Sequence, residues 1–466
     1  MRRTRILITL GPASDDPVTI RALLDAGADA VRLNFSHGTV DQHRETCARV
    51  RAAAAEAGRT VGVLQDLGGP KIRIGPLEAP IALREGDHLT IEKGTFTGAS
   101  GRVACNFDAL FTTAERGHRL LLDDGRIELK VVDVGASGLS TTVVIGGTLE
   151  SRKGINIPDA ALQVPAMTAK DVDDLRAGVA MGVDMIALSF VQSADDILAA
   201  RAVAADAGAA DLPIVAKIER PRAVDQIDDI LRVADGLMVA RGDLGIEMPI
   251  ETLPTVQGRL IRAARRAAVP VIVATQVLES MRHDPRPTRA EVTDAAHAVD
   301  QSADAIMLAG ETAAGRYPIR AVSTLDAVIR EAEQATHSAA PFDGQGGAAL
   351  GRAHGVALAE AAVTLAARAG AAAIVAVTEG GKTARMLAAL RPPVPLLAAT
   401  ASAHTGARLS LVWGITPLVA ADASIPALRH AITERGLLSA GTAVVFVAIH
   451  PELGHDGSNF VRVERL

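Results

Sequence analysis

The sequence predicts an α/β protein built on a closed (β/α)8 barrel, with a β-rich insert and a C-terminal α/β domain. Two observations lead there. Eight short apolar runs alternate with amphipathic stretches, and the alternation breaks once, over about residues 70–165. The runs are Ile6–Leu10, Ala30–Phe35, Val61–Leu67, Met185–Phe190, Ile214–Ile218, Gly236–Ala240, Val271–Thr275 and Ala305–Leu308. Near-continuous β-branched and aliphatic runs of this length read as strands covered on both faces. Eight such strands, each followed by a helical pattern, predict a TIM-type barrel over 1–69 and 166–341. The competing arrangement is an open doubly wound sheet.

Composition agrees with that architecture. The chain has 466 residues, 48% hydrophobic but only 2% aromatic, so its core must be aliphatic. The formal net charge of -6 leaves no domain-sized basic excess, which argues against nucleic acid as a partner. Two cysteines, Cys47 and Cys105, make no disulfide framework and fit a reducing, cytoplasmic setting. Ile6–Leu10 follows basic residues but is too short for a signal segment and ends at Gly11-Pro12. No apolar run is long enough to predict a membrane span.

Residues 70–165 are Gly-rich and carry short alternating segments at His88–Glu92, Arg119–Leu122, Ile127–Val132 and Thr141–Ile145. They predict an inserted all-β, barrel-like lid domain with hinges at Gly68-Gly69-Pro70 and Pro158 to Pro165. A Gly-rich linker at Phe342–Leu350 opens the domain 342–466. There, helix patterns at Val356–Ala369, Thr383–Leu390 and Pro426–Glu434 alternate with strands at Ala373–Thr378, Leu396–Thr400 and Ala443–Ile449.

Chemistry concentrates at the predicted strand ends. Lys217 and Glu219 share a parity in Ile-Val-Ala-Lys-Ile-Glu, where a barrel strand would otherwise be apolar. The pair offers a cation for a phosphoryl group and a carboxylate for a hard metal, or a plain salt bridge at the rim. Asp243 in Ala-Arg-Gly-Asp-Leu-Gly adds a second oxygen ligand, and Gly242 lets backbone N–H groups approach an anion. Thr275 ends strand seven with a hydroxyl. Arg32, Asn34 and Ser36 share one parity at the end of strand two, where an unpaired inward Arg would be costly. Asp66 adds an acid; Lys71 and Arg73 put positive charge on the insert side. Two acids for Mg²⁺, converging cations and a lid suit phosphoryl transfer, which is positioning plus charge neutralisation.

The sequence resembles the pyruvate kinase family over essentially its whole length. Seven motifs carry the resemblance in the family's order. They are Ile-Thr-Leu-Gly-Pro-Ala-Ser, Arg-Leu-Asn-Phe-Ser-His-Gly, Gln-Asp-Leu-Gly-Gly-Pro-Lys-Ile-Arg, Ala-Lys-Ile-Glu-Arg, Ala-Arg-Gly-Asp-Leu-Gly, Ala-Thr-Gln-Val-Leu-Glu-Ser-Met and Met-Leu-Ala-Gly-Glu-Thr-Ala. The resemblance implies transfer from phosphoenolpyruvate to ADP, the last step of glycolysis, with Mg²⁺ (or Mn²⁺). It implies Lys217 at the transferring group and the enolate, Glu219 and Asp243 as Mg²⁺ ligands, and Arg32 as phosphate clamp. It places Gly242, Asp243 and Thr275 around the substrate carboxylate, with Glu311 retained near the chemistry. Asn34, His37, Arg73 and Lys153 fall on the nucleotide side. It further implies a homotetramer, with a sugar-phosphate or nucleotide effector, for which Thr378–Thr383 is a candidate anion-binding turn.

Three departures stand out. Ala309 replaces a common serine proposed to help protonate the enolate. Arg222 stands where a polar or acidic residue is usual. Lys71 replaces a common glutamate beside the family's K⁺ cradle, which matches Asn34, Ser36, Asp66 and the Leu67 carbonyl. With Leu67 in place of the usual threonine, the resemblance implies a bacterial-type member that needs no K⁺, its ammonium standing in for the ion. Two other functions stay open on sequence alone: an Mg²⁺-enolate carbon–carbon lyase and a non-catalytic paralogue.

Overall fold

The computed structural model describes residues 2–160, 164–335, 353–452 and 458–466. The expected linker, the boundary at 341/342 and most of the loop Gly454–Asn459 lie outside the described residues, as does part of the hinge before Pro165.

Eight parallel strands close the barrel: Arg5–Thr9, Ala30–Asn34, Gly62–Asp66, Met185–Leu188, Ile214–Ile218, Gly236–Ala240, Val271–Ala274 and Ala305–Leu308. Closure is direct, with Arg5 opposite Ala305. Period-two alternation divides each strand. Leu7, Leu64, Val215, Met238 and Ile272 fill the interior, with Ala30, Ala187 and Ala305 making room between them. Their neighbours Ile8, Val31, Val63, Ile214 and Val273 face the surrounding helices. Local signals set those helices. Thr168 and Thr288 form capping boxes at the starts of Ala169–Met181 and Arg289–Asp300, and Gly182 ends the former at φ 73°.

The insert leaves the barrel after strand three and has its own apolar core. Its strands make one six-stranded sheet and a two-stranded ladder, Ile81–Leu83 with Gly147–Leu149; residues 72–75 bridge the sheet's two edges, Ile74 to Cys105 and Arg73 to Gly154, in keeping with the expected barrel-like closure. A short helix, Asp108–Thr113, departs from the all-β expectation. It buries only Leu110, so its apolar signal in the sequence is weak.

The C-terminal sheet has five strands in the order Ile415–Val419, Leu396–Thr400, Ala373–Val377, Ala443–Ala448, Phe460–Arg465. Its two edge strands were not anticipated. Pro417 interrupts one, and Arg462, Glu464 and Arg465 charge the other, as edges require.

This domain also seals the barrel. Leu411 joins the interior cluster from below. Gly62 donates its N–H to Ser410 Oγ at 3.1 Å, and a Cβ at Gly62 would sit 2.6 Å from the Ala407 carbonyl oxygen. Asp304 pairs with Arg391 at 3.0 Å and accepts the Trp413 N–H at 3.2 Å; the Arg391 guanidinium lies 4.7 Å over the Trp413 ring.

Candidate active site

The inward parity of each strand continues past its apolar residues to a polar one at the mouth. Thr9, Arg32, Asp66, Ser189 and Lys217 each lie two positions beyond Leu7, Ala30, Leu64, Ala187 and Val215. They form one network. Lys217 Nζ donates to Asp66 Oδ1 at 3.0 Å and to Ser189 Oγ at 2.6 Å, and lies 3.0 Å from Glu219 Oε1. Arg32 Nε donates to Asp66 Oδ2 at 2.6 Å, and its Nη1 to Thr9 Oγ1 at 3.1 Å.

The electrostatics follow from this packing. Burial opposes the charge on Lys217, but Asp66 and Glu219 outweigh it and hold its pKa above the ordinary value. Burial likewise opposes ionisation of Asp66, yet Arg32 and Lys217 keep its carboxyl below the usual range. Glu219 is pushed up, chiefly by burial, with Lys217 opposing and Asp243 adding repulsion. Asp243 thus adds like charge near Glu219, whose partner Lys217 is shared with Asp66. Glu219 Oε2 accepts the Phe190 N–H at 2.7 Å, delivered by a left-handed backbone at φ 55°. Asp243 has neither hydrogen bond nor ion pair among the described residues and lines a cleft with Lys71, Arg73, Phe190 and Arg220. Asp243, free toward the cleft, and the buried Glu219 within its field are hard oxygen donors of the kind that hold a divalent cation completed by substrate and water. No group of three or more His, Cys, Asp or Glu side chains suited to a metal occurs among the described residues.

The turn after strand seven is strained. Thr275 and Gln276 both have positive φ, 70° and 53°. Arg241 holds them: its guanidinium donates to the Thr275 carbonyl at 2.7 Å and to both carboxylate oxygens of Asp294 at 2.8 and 2.6 Å. Thr275 Oγ1 donates to the Ala274 carbonyl at 2.6 Å and accepts the Gly242 N–H at 2.7 Å, so that N–H is turned onto the threonine. Glu311 is fully buried. Its two oxygens accept the Leu278 N–H at 3.0 Å and the Ala309 N–H at 2.8 Å, tying loops seven and eight together, and burial raises its pKa.

The nucleotide-side candidates sit where insert and barrel meet. Arg73 pairs with Gly154 through its backbone and donates from its guanidinium to the Arg152 carbonyl at 2.9 Å. Lys153 is ion-paired to Asp123 at 2.8 Å and Glu150 at 3.1 Å. His37 is lowered, first by burial and then by Lys71, Arg73 and Arg32. Of the cation-cradle candidates, Asn34 Oδ1 accepts the Ser36 N–H at 3.2 Å, and the Leu67 carbonyl accepts Ser189 Oγ at 2.7 Å. Lys71 is exposed, with no ion pair among the described residues.

Sequence reading missed Ser189, Thr9, Arg241 and Asp294. For Ser189 and Thr9 the signal was present: a lone hydroxyl at the inward parity of an apolar strand. Nothing in the sequence links Arg241 to Asp294.

Barrel, β insert and charged mouth together define the class: a (β/α)8-barrel enzyme acting on an anionic substrate. A family model described as "Pyruvate kinase, barrel domain" matches residues 1–322, and "Pyruvate kinase, alpha/beta domain" matches 356–464. Pyruvate kinases of Agrobacterium vitis and of Mycobacterium tuberculosis (strain CDC 1551 / Oshkosh) are 41% and 40% identical to it. The matches cover 100% of this chain and 97% and 98% of theirs. A crystal structure of a pyruvate kinase from Cryptosporidium parvum superposes with a TM-score of 0.91 at 32% identity, covering 100% of this chain and 96% of that one. The chain belongs to the pyruvate kinase family. Its activity is phosphoryl transfer between phosphoenolpyruvate and ADP, which disfavours the lyase and non-catalytic readings.

Proposed function

We propose that the Lys217 network is the catalytic centre of this transfer. The observation that carries the reading is an ammonium held charged by two buried carboxylates at the mouth of the barrel. Lys217 would neutralise the phosphoryl group in flight and then the enolate oxygen, donors here being strongest where water is excluded. Arg32, fixed by Asp66 and Thr9, would grip the phosphate. Glu219 and Asp243 would hold Mg²⁺ or Mn²⁺, which when bound neutralises charge on the substrate oxygens. Gly242, Asp243 and Thr275 would receive the substrate carboxylate, the Gly242 N–H exchanging Thr275 Oγ1 for substrate. Glu311, which reaches no cleft, is a positioning residue in this reading.

Asn34, His37, Arg73 and Lys153 would face ADP beneath the insert, the insert (70–165) acting as lid. Lys71 carries the proposal of K⁺-independence: an exposed cation whose field reaches His37 at the same mouth. Homotetrameric assembly, an effector at Thr378–Thr383 and a cytoplasmic setting are carried over from the family. No helix among the described residues is long and apolar enough to cross a membrane.

The test is pyruvate formation from phosphoenolpyruvate, ADP and Mg²⁺ in tetramethylammonium buffer, with and without K⁺. Full turnover without K⁺ supports the site and Lys71. Turnover only with K⁺ removes the Lys71 role. Unimpaired turnover of Lys217→Met removes the catalytic assignment.

A further inference from the structure

The insert meets the barrel again well past its hinges, at the short helix Arg241–Glu247. The start of that helix is fixed to the barrel: Arg241 is ion-paired with Asp294, and Leu244 is fully buried. Its last residue reaches the insert. Asn156 Nδ2 donates to Glu247 Oε1 at 2.7 Å. One residue earlier, Ile246 lies against the insert's turn Asp123–Arg126, where a Cβ on Gly125 would meet the Ile246 side chain at 4.0 Å.

The two partners stand at a junction. Asp243 is four residues before Glu247, on the same face of the helix, and Gly242 precedes it. Asn156 ends the strand Ile155–Asn156, and Lys153 and Gly154 come just before that strand. Gly154 bridges Arg73, and Lys153 is ion-paired with Asp123 at 2.8 Å. Asp243, Glu247, Gly154 and Asn156 line one cleft. A single hydrogen bond therefore joins the residues read as holding phosphoenolpyruvate and metal to those read as holding the nucleotide. Keeping an acid there has a cost. Burial, the main influence, raises the Glu247 carboxyl; the Asn156 bond and Arg220 pull it back, and Asp243 adds to the rise.

We propose that Glu247 and Asn156 are a positioning pair for the transfer, setting the insert's nucleotide side in place against the helix that bears Gly242 and Asp243. The proposal rests on the reading of the barrel mouth as the transfer site. Transfer needs donor and acceptor oxygens in line, and a displacement of about 1 Å can cost about 10²-fold in rate. Neither side chain touches the reacting atoms; both act through the residues they carry.

The experiment uses the full chain with Glu247→Ala, Asn156→Ala, the two combined, and Glu247→Gln. It measures turnover, and equilibrium binding of ADP and of phosphoenolpyruvate singly with Mg²⁺ present. Each alanine should lower kcat about tenfold. Binding of either substrate alone should hold, because each half of the site is intact. The double variant should be no slower than the slower single one, since both remove the same bond. Glu247→Gln keeps an acceptor oxygen at the same reach and should recover most of the turnover. If Glu247→Ala folds poorly, Asn156→Ala and Glu247→Gln decide. Unchanged kcat in the alanine variants, additive losses in the double, single-substrate binding that weakens in step with kcat, or a glutamine no better than alanine each overturn the pair. Lys217→Met is assayed beside them. Its loss of turnover with unimpaired alanine variants removes the positioning pair alone, whereas unimpaired turnover of Lys217→Met removes the catalytic reading beneath it.

Discussion

Lys217 and Asp66 meet at 3.0 Å although their strands, the fifth and third of the barrel, are not neighbours. Strand four passes between them and contributes only Ser189, small enough to let the ion pair close over it. The mouth is thus spanned by a charge relay from Glu219 through Lys217 and Asp66 to Arg32.

Lys217→Met should lower turnover by about 10³ or more if the ammonium stabilises charge in flight. It should also destabilise the fold by about 3 kcal/mol, because Asp66 and Glu219 lose a buried partner. Steady-state kinetics beside urea unfolding separates the two effects; a stability loss with unchanged turnover would make Lys217 structural.

Asp66 carries a pH signature. Its folded pKa lies below the ordinary 3.8, so its stabilisation is fully present above pH 3.8 and disappears as pH falls through the folded value. Asp66→Asn should be less stable than wild type at pH 7 and show a shallower loss as pH falls below 3.8. Parallel acid-unfolding curves would refute this.

Arg241→Lys should lower kcat/KM for phosphoenolpyruvate about tenfold through misplacement of Thr275, since lysine has no second nitrogen to hold the Thr275 carbonyl while it pairs with Asp294. Asp294→Ala should reproduce the defect. The check is kinetic, with circular dichroism confirming the fold; wild-type kinetics in both would show that the turn holds itself.

Lys71→Glu should convert a K⁺-indifferent enzyme into one that K⁺ activates. The assay is turnover against K⁺ concentration at fixed ionic strength. Equal K⁺ dependence in both proteins would leave Lys71 a solvated residue of the insert.

Asp304→Ala should cost about 3–5 kcal/mol, because Arg391 is left buried without its carboxylate. Guanidinium unfolding measures it, and a loss below about 1 kcal/mol would place this pair among ordinary surface bridges.

The barrel was legible because its strands are apolar on both faces, so charges at Lys217 and Glu219 stand out against Val215 and Ile218. The same contrast picked out Arg32 and Asp66. Ser189 did not register, since one hydroxyl in Ala-Leu-Ser-Phe is unremarkable until strand four is seen to separate two ions. Arg241 and Asp294 lie 53 residues apart, and only closure of the barrel's helical ring brings them together. The terminal strand Phe460–Arg465 was hidden because an edge strand is charged, and charge reads as loop.

Leu411 gives the architecture its last consequence. The stopper at the floor of the catalytic drum is made by another domain, so the two were never independent modules. A chain cut before residue 353 would leave Leu7, Leu64 and Val215 above an open drain and Asp304 without its arginine. Shuffling this C-terminal domain for a foreign one would therefore require a replacement plug, which ties the evolution of the C-terminal half to the packing of the barrel.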